Sequence, residues 1–207
     1  ADDRFAGHVV PKGVGLIVEQ EEELLSAFNL PVYESAVEIA LTTANLIDDG
    51  ATLQLGFGGL PNAAAAFLDN HRDLGIHTEM FTDGMVDLYE AGVITGRQKT
   101  LWKEKMVGAF ALGSQKLYDF VDKNLGVEFQ QGKVTNDPYV IAQNHKMISV
   151  NTALQVDING QVCSQSIGPR HYSGTGGQLD THRGAQMSPG GRGIIALRST
   201  QSSFIQV

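Results

Sequence analysis

The chain has 207 residues, 42% hydrophobic and 18% charged, with a formal net charge of −8. That is enough apolar material for one sizeable core, and an acidic chain without a block of Lys or Arg is poorly suited to nucleic acid or an anionic membrane. No apolar run approaches the ~20 residues of a membrane span, the N-terminus lacks the basic-then-apolar order of a leader, and a lone Cys163 gives no intrachain disulfide framework, so a reducing, cytoplasmic setting is expected.

Residues 1–34 are the least regular part, with Gly7, Pro11, Gly13, Gly15 and Pro31 around the acidic run from Glu19 to Glu23. They read as a linker or arm ahead of a domain over residues 35–207. Ser35 and Glu38 have capping-box spacing, and Val37, Leu41, Ala44 and Ile47 share one helical face that ends at Asp48-Asp49-Gly50. Leu53, Leu55 and Phe57 alternate in a strand over 51–57, and Pro61 opens an Ala-rich helix reaching about Asn70. A strand at 75–80 leads to a helix from Asp83, whose carboxylate can cap the amides ahead, to Gly92. Strand 105–112 leads to a helix over 114–123, and strand 126–130 to a helix opened by Thr135-Asn136-Asp137-Pro138. Strand 147–151 is followed by a hairpin of 154–158 and 161–166 about Asn159-Gly160, then by a last strand at 193–199. Cys163 lies in the second hairpin strand and reads as a packing residue.

Strands alternating with helices predict an α/β fold: an open, mostly parallel sheet with helices on both faces, a three-layer sandwich, plus the β-hairpin. In such sheets ligands bind at the carboxyl edge of the strands. Four stretches fall there. The turn Gly56-Phe57-Gly58-Gly59-Leu60-Pro61-Asn62 lets backbone approach a ligand at a helix start, and it stands open between a phosphate or pantetheine cradle and close packing. It is neither a Rossmann fingerprint nor a P-loop. Glu79 ends a strand beside Met80 and Phe81, either as a cap or as a nucleophile or general base. Asn136 reads locally as the cap of the helix that Pro138 helps to start, with an amide that can also serve an oxyanion. The loop from Gly168 to Gly177 is Gly-rich, and ordering it is costly unless something binds there. His77, His171 and His182 have no ligand spacing, so no metal site is expected, and no Gly-x-Ser-x-Gly elbow marks a serine hydrolase.

In chain order, "LQLGFGGLPNA", "TEMFTDG", "AFALGSQKLYDFV", "TNDPYVIAQN", "VNTALQVDINGQVCS" and "GPRHYSGTGGQLDTHRGA" closely resemble the acetyl-CoA hydrolase/transferase family, and within it the 4-hydroxybutyrate CoA-transferase branch. The resemblance runs from about residue 35 to residue 200. It implies a glutamate-dependent CoA-transferase moving CoA between an acyl-CoA and a short-chain carboxylic acid. An acyl-glutamyl anhydride and a glutamyl-CoA thioester are its implied intermediates. The family's glutamate falls on Glu79 and its oxyanion donors on Asn136 and Gly177. CoA contacts fall on Gly56, Phe57, Gly58, Gly59, Leu60, Ala153 and Gly176. Coenzyme A is then a substrate, with no permanently bound cofactor. The same resemblance leaves open an acyl-CoA hydrolase, or a non-catalytic module that binds CoA or a partner domain. Family members are longer, with a related N-terminal domain, so the chain corresponds to a second half. A homo-oligomer or a complementing N-terminal domain is the expected partner.

Overall fold

The computed structural model describes residues 20–26, 34–56 and 58–199. Residues 20–26 of the expected arm are exposed and carry no regular secondary structure, and Tyr118 donates to the Leu25 carbonyl at 2.5 Å. The rest of residues 1–33, the Ser35 side chain with its expected capping role, and Phe57 lie outside the description.

The first half comprises α1 (Glu34–Ala44), β1 (Thr52–Leu55), α2 (Gly59–Ala65), β2 (Gly75–Ile76), β3 (Met80–Phe81), α3 (Asp83–Glu90), β4 (Met106–Gly108), β5 (Phe110–Ala111) and α4 (Gln115–Val121). Then come β6 (Val127–Phe129), α5 (Gly132–Thr135), α6 (Pro138–Ile141), β7 (Met147–Thr152), the short strands β8 (Gln155–Val156), β9 (Val162–Cys163), β10 (Ser166–Ile167) and β11 (Arg170–His171), α7 (Gln178–Met187) and β12 (Arg192–Ala196).

Strands β12, β7, β1 and β2 form one sheet in that order, every neighbouring pair parallel. A parallel bridge between His77 and Val107 carries the sheet from β2 to β4, and β4 pairs in parallel with β6. The chain thus lays β2, β4 and β6 on one side of β1, then crosses to build β7 and β12 on the other. That reversal opens a crevice at the carboxyl ends of β1 and β7. The expected hairpin is β8 with β9, closed by a three-residue loop in which Gly160 takes a φ of 81°, the left-handed position such loops require. A second antiparallel pair, β10 with β11, had no sequence signal.

Period-two alternation separates the two faces of the sheet. Leu53, Leu55, Ile148 and Val150 join Met85, Val86 and Leu88 in the main core, on the side where α1 to α4 pack in succession. Thr52, Gln54, Ser149 and Asn151 belong to the opposite phase, which α7 covers with α5 and α6 beside it. Helices therefore lie on both faces, as expected.

Four local expectations need correction. On α1 the buried face is Ala36, Ala40 and Ala44, continued past the helix end by Ile47, while Val37 and Leu41 are 39% and 48% exposed. The reason is close approach to α2, where Ala40 clusters with Ala63 and Ala64; small side chains set the contact, not the larger apolar ones. The expected strand 75–80 is split into β2 and β3, and 105–112 into β4 and β5. The carbonyl of Glu79 accepts from both Ala109 and Phe110 at this break, at 2.8 and 3.2 Å. Asp83 does not cap its own helix: its carboxylate accepts from the amide and the hydroxyl of Ser114, at 3.1 and 2.7 Å, and so holds the start of α4. Finally, the helix start is Asp137, whose carboxylate accepts from the amides of Tyr139 and Val140. Asn136 is instead the last residue of the preceding turn, which leaves its side chain available.

Candidate active site

Glu79 sits in the break between β2 and β3, at the carboxyl edge of the sheet, with its side chain partly buried. The Thr78 hydroxyl donates to the Met80 carbonyl at 3.2 Å, spanning the break from inside. Irregular strand backbone of this kind re-aims a side chain, and here Glu79 lines a cavity of about 290 Å³ with Gly56, Phe110, Asn151, Gly176, Gly177 and Thr181 among its walls.

Asn136 arrives from the junction of α5 and α6. Its Nδ2 donates to Glu79 Oε2 at 2.6 Å, while its buried Oδ1 has no partner among the described residues. Gly177, the residue capping α7, closes over both: a Cβ there would overlap Glu79 Oε2 and lie 2.6 Å from Asn136 Nδ2. Three residues far apart in sequence therefore meet around one carboxylate oxygen. The first turn of α7 opens at the same point, and a helix start carries free amides and partial positive charge.

The glycine-turn residues divide. Gly56 lines the cavity but is needed for packing, since a Cβ would stand 2.6 Å from Asn151 Oδ1. Gly58 takes a φ of 130° with open space around it. Gly58, Gly59, Leu60 and Ala153 are not among the cavity-lining residues, whereas Gly176, with a φ of 56°, is.

Two further groups adjoin the site. Beneath the cavity, Ser149 Oγ and Asn151 Nδ2 donate to Gln54 Oε1 at 2.6 and 3.0 Å, and Thr181 Oγ1 stands 3.2 Å from Ser149 Oγ. All four side chains are buried, and mutual satisfaction is what makes that tolerable. Their signal was available: polar residues in one phase of two neighbouring apolar strands. The second group is His77, two residues before Glu79 and 1% exposed. Its Nε2 is 3.0 Å from the Thr135 carbonyl and its Nδ1 is 3.3 Å from Asn144 Nδ2. Burial pushes the imidazole down to about 4, against the opposing bond to Thr135 and helped by the nearby Lys99 ammonium. Lys99 itself donates to the carbonyls of Ile76 and Lys105, both at 2.7 Å, and burial lowers it to about 7. His171 and His182 lie elsewhere; Cys163 is half-buried, its thiol against the Ser166 carbonyl at 3.2 Å. Among the described residues no group of three or more His, Cys, Asp or Glu could hold a metal, and no helix is long and apolar enough to cross a membrane.

A carboxylate at the sheet edge is thus held by one Asn amide beside a glycine helix cap. Residues 113–205 match the acetyl-CoA hydrolase/transferase C-terminal domain, and the chain belongs to that family. It is 47% identical over 187 residues to a 4-hydroxybutyrate coenzyme A transferase of Clostridium kluyveri, a match covering 90% of this chain and 44% of that protein. The chain thus spans less than half the length of this relative. The structure of RipA from Yersinia pestis superposes with a TM-score of 0.83 at 40% identity, over 86% of this chain and 41% of that one. A 4-hydroxybutyrate CoA-transferase from Porphyromonas gingivalis superposes with a TM-score of 0.74 at 41% identity, over 89% and 43%.

Proposed function

We propose that the protein carrying this chain is a CoA-transferase exchanging CoA between an acyl-CoA and a short-chain carboxylic acid, with Glu79 as the covalent carrier. The observation that carries the reading is the Asn136–Glu79 hydrogen bond of 2.6 Å under Gly177. In the first step a Glu79 oxygen bonds to the thioester carbonyl carbon and the C–S bond breaks, giving the anhydride and CoA thiolate. The thiolate then attacks the Glu79 carbonyl and expels the first acid, leaving a glutamyl thioester. The acceptor carboxylate attacks that carbonyl, forming a second anhydride and releasing thiolate. Attack of the thiolate on the acceptor's acyl carbon gives the new acyl-CoA and restores Glu79.

Each addition places negative charge on a carbonyl oxygen, for which the Asn136 amide and the backbone amide at Gly177 are the donors; such donors are worth several kcal/mol in transition-state stabilisation. Gly56, Phe57, Gly58, Gly59, Leu60, Ala153 and Gly176 are proposed to contact CoA, and a soluble cytoplasmic enzyme is the setting that fits this chemistry.

Transfer from butyryl-CoA to acetate tests the reading. Glu79→Gln is expected to lose more than about a thousandfold in kcat, and Asn136→Ala about a hundredfold or more. Gly177→Ala is expected to fold, since its φ of −95° suits any residue, yet to lose comparable activity because the methyl displaces Glu79 and Asn136. Full activity in Glu79→Gln would end the proposal. Release of free CoA without any acceptor would favour an acyl-CoA hydrolase, the other activity in the family's description.

A further inference from the structure

We propose that His77 is a positioning residue that keeps the Asn136 amide on the Glu79 carboxylate by holding the carbonyl of Thr135. The inference rests on the reading of Glu79 as the reacting group. Two hydrogen bonds and two short pieces of chain close a ring: His77, Thr78 and Glu79 on one side, Thr135 and Asn136 on the other, joined by His77 Nε2 to Thr135 at 3.0 Å and Asn136 Nδ2 to Glu79 at 2.6 Å. Neither side can shift along the sheet without breaking a bond of the ring. The Asn136 amide otherwise hangs from a four-residue helical turn, α5, whose own packing is slight.

The partners also fix the state of the ring nitrogens. A carbonyl only accepts, so Nε2 must carry hydrogen. The neutral imidazole then presents a lone pair at Nδ1, and Asn144 supplies an N–H to it. A second proton on Nδ1 would face that N–H, in a buried place beside the Lys99 ammonium. The Trp102 ring lies beside the imidazole, ring centres 5.8 Å apart and planes tilted by 37°, which limits rotation of the ring. One tautomer in one orientation is what a rigid spacer requires.

The test compares His77→Gln with His77→Asn in the full-length protein. The Gln amide reaches the place of Nε2 and can still donate to Thr135; the Asn amide reaches the place of Nδ1 and cannot. The Asn variant is expected to lose about a hundredfold in kcat, the effect of a displacement near 1 Å in an active site, with KM for acyl-CoA within about threefold. The Gln variant is expected to recover most of that loss. Equal kcat in the two folded variants would overturn the proposal. A second readout needs no turnover: the Asn136 side-chain amide signal in NMR, assigned by its loss in Asn136→Ala, should move in His77→Asn and stay in His77→Gln. In the unmutated protein, ¹⁵N shifts should place the His77 proton on Nε2. A proton on Nδ1 would refute the inference even if both variants failed to fold. Absence of transferase activity in the unmutated protein, with these signals as expected, would remove the proposed function and leave the clasp intact.

Discussion

At the scale of single residues, His77 and Lys99 tie stability to pH in the same direction. The native imidazole titrates near 4 and the unfolded one near 6.5. As pH falls from 6.5 to 4 the unfolded chain takes up a proton that the folded one refuses, so stability present above 6.5 is lost, by about 3 kcal/mol in all. Lys99, lowered from 10.5 to about 7, makes the unfolded chain the better proton binder between those values, so its burial penalty relaxes as pH rises. Urea unfolding at pH 7 and pH 4.5 should therefore show a steeper loss for the unmutated protein than for His77→Gln. Parallel losses would mean that His77 titrates normally. Glu79 and Asn136 stood out in sequence because one reads as the end of a strand and the other lies two residues before a proline. Only the fold revealed that Asp137 takes the capping role and frees Asn136. His77 was not legible, since its partners are a backbone carbonyl and an amide more than fifty residues away, and such partners leave no spacing motif.

Among the elements, α7 is the clearest case of a helix hidden from hydrophobic periodicity. Its sequence QLDTHRGAQM buries Thr181, Gly184 and Ala185, so contact is made by backbone proximity and small side chains instead of an apolar stripe. A Cβ at Gly184 would stand 2.5 Å from Ile141 Cγ2 and 3.1 Å from the Pro138 carbonyl. Gly184→Ala is accordingly expected to destabilise by about 1–3 kcal/mol through overpacking, exceeding the ~1 kcal/mol gained in helix propensity; a raised unfolding midpoint would show that α6 and α7 yield freely. The strands and the helices between them were legible because turn residues and alternation recur in order. Their interruptions at Thr78–Glu79 and Ala109 were not: the first carries neither glycine nor proline, and the second has only Gly108, inside an otherwise apolar run. That break, held by the Glu79 carbonyl and the Thr78 hydroxyl, turns Glu79 into the cavity.

For the molecule as a whole, the parallel sheet was predictable but its order was not. Nothing local tells the chain to place β7 on the far side of β1 from β2, and that choice creates the crevice. It also brings Gln54 of β1 beside Ser149 and Asn151 of β7, so that the cavity rests on a polar floor. Glu79 from the next strand, Asn136 from beyond β6 and Gly177 from before β12 then converge on one edge. Covalent linkage of Glu79 to CoA is the step on which the proposed reaction turns. Borohydride treatment of the full-length protein after exposure to butyryl-CoA, followed by peptide mass analysis, would trap that link. Glu79 should be reduced to the alcohol, with activity lost in proportion, and neither change should occur without acyl-CoA. An unmodified Glu79 in protein that turns over before treatment and continues to turn over afterwards would rule the covalent link out.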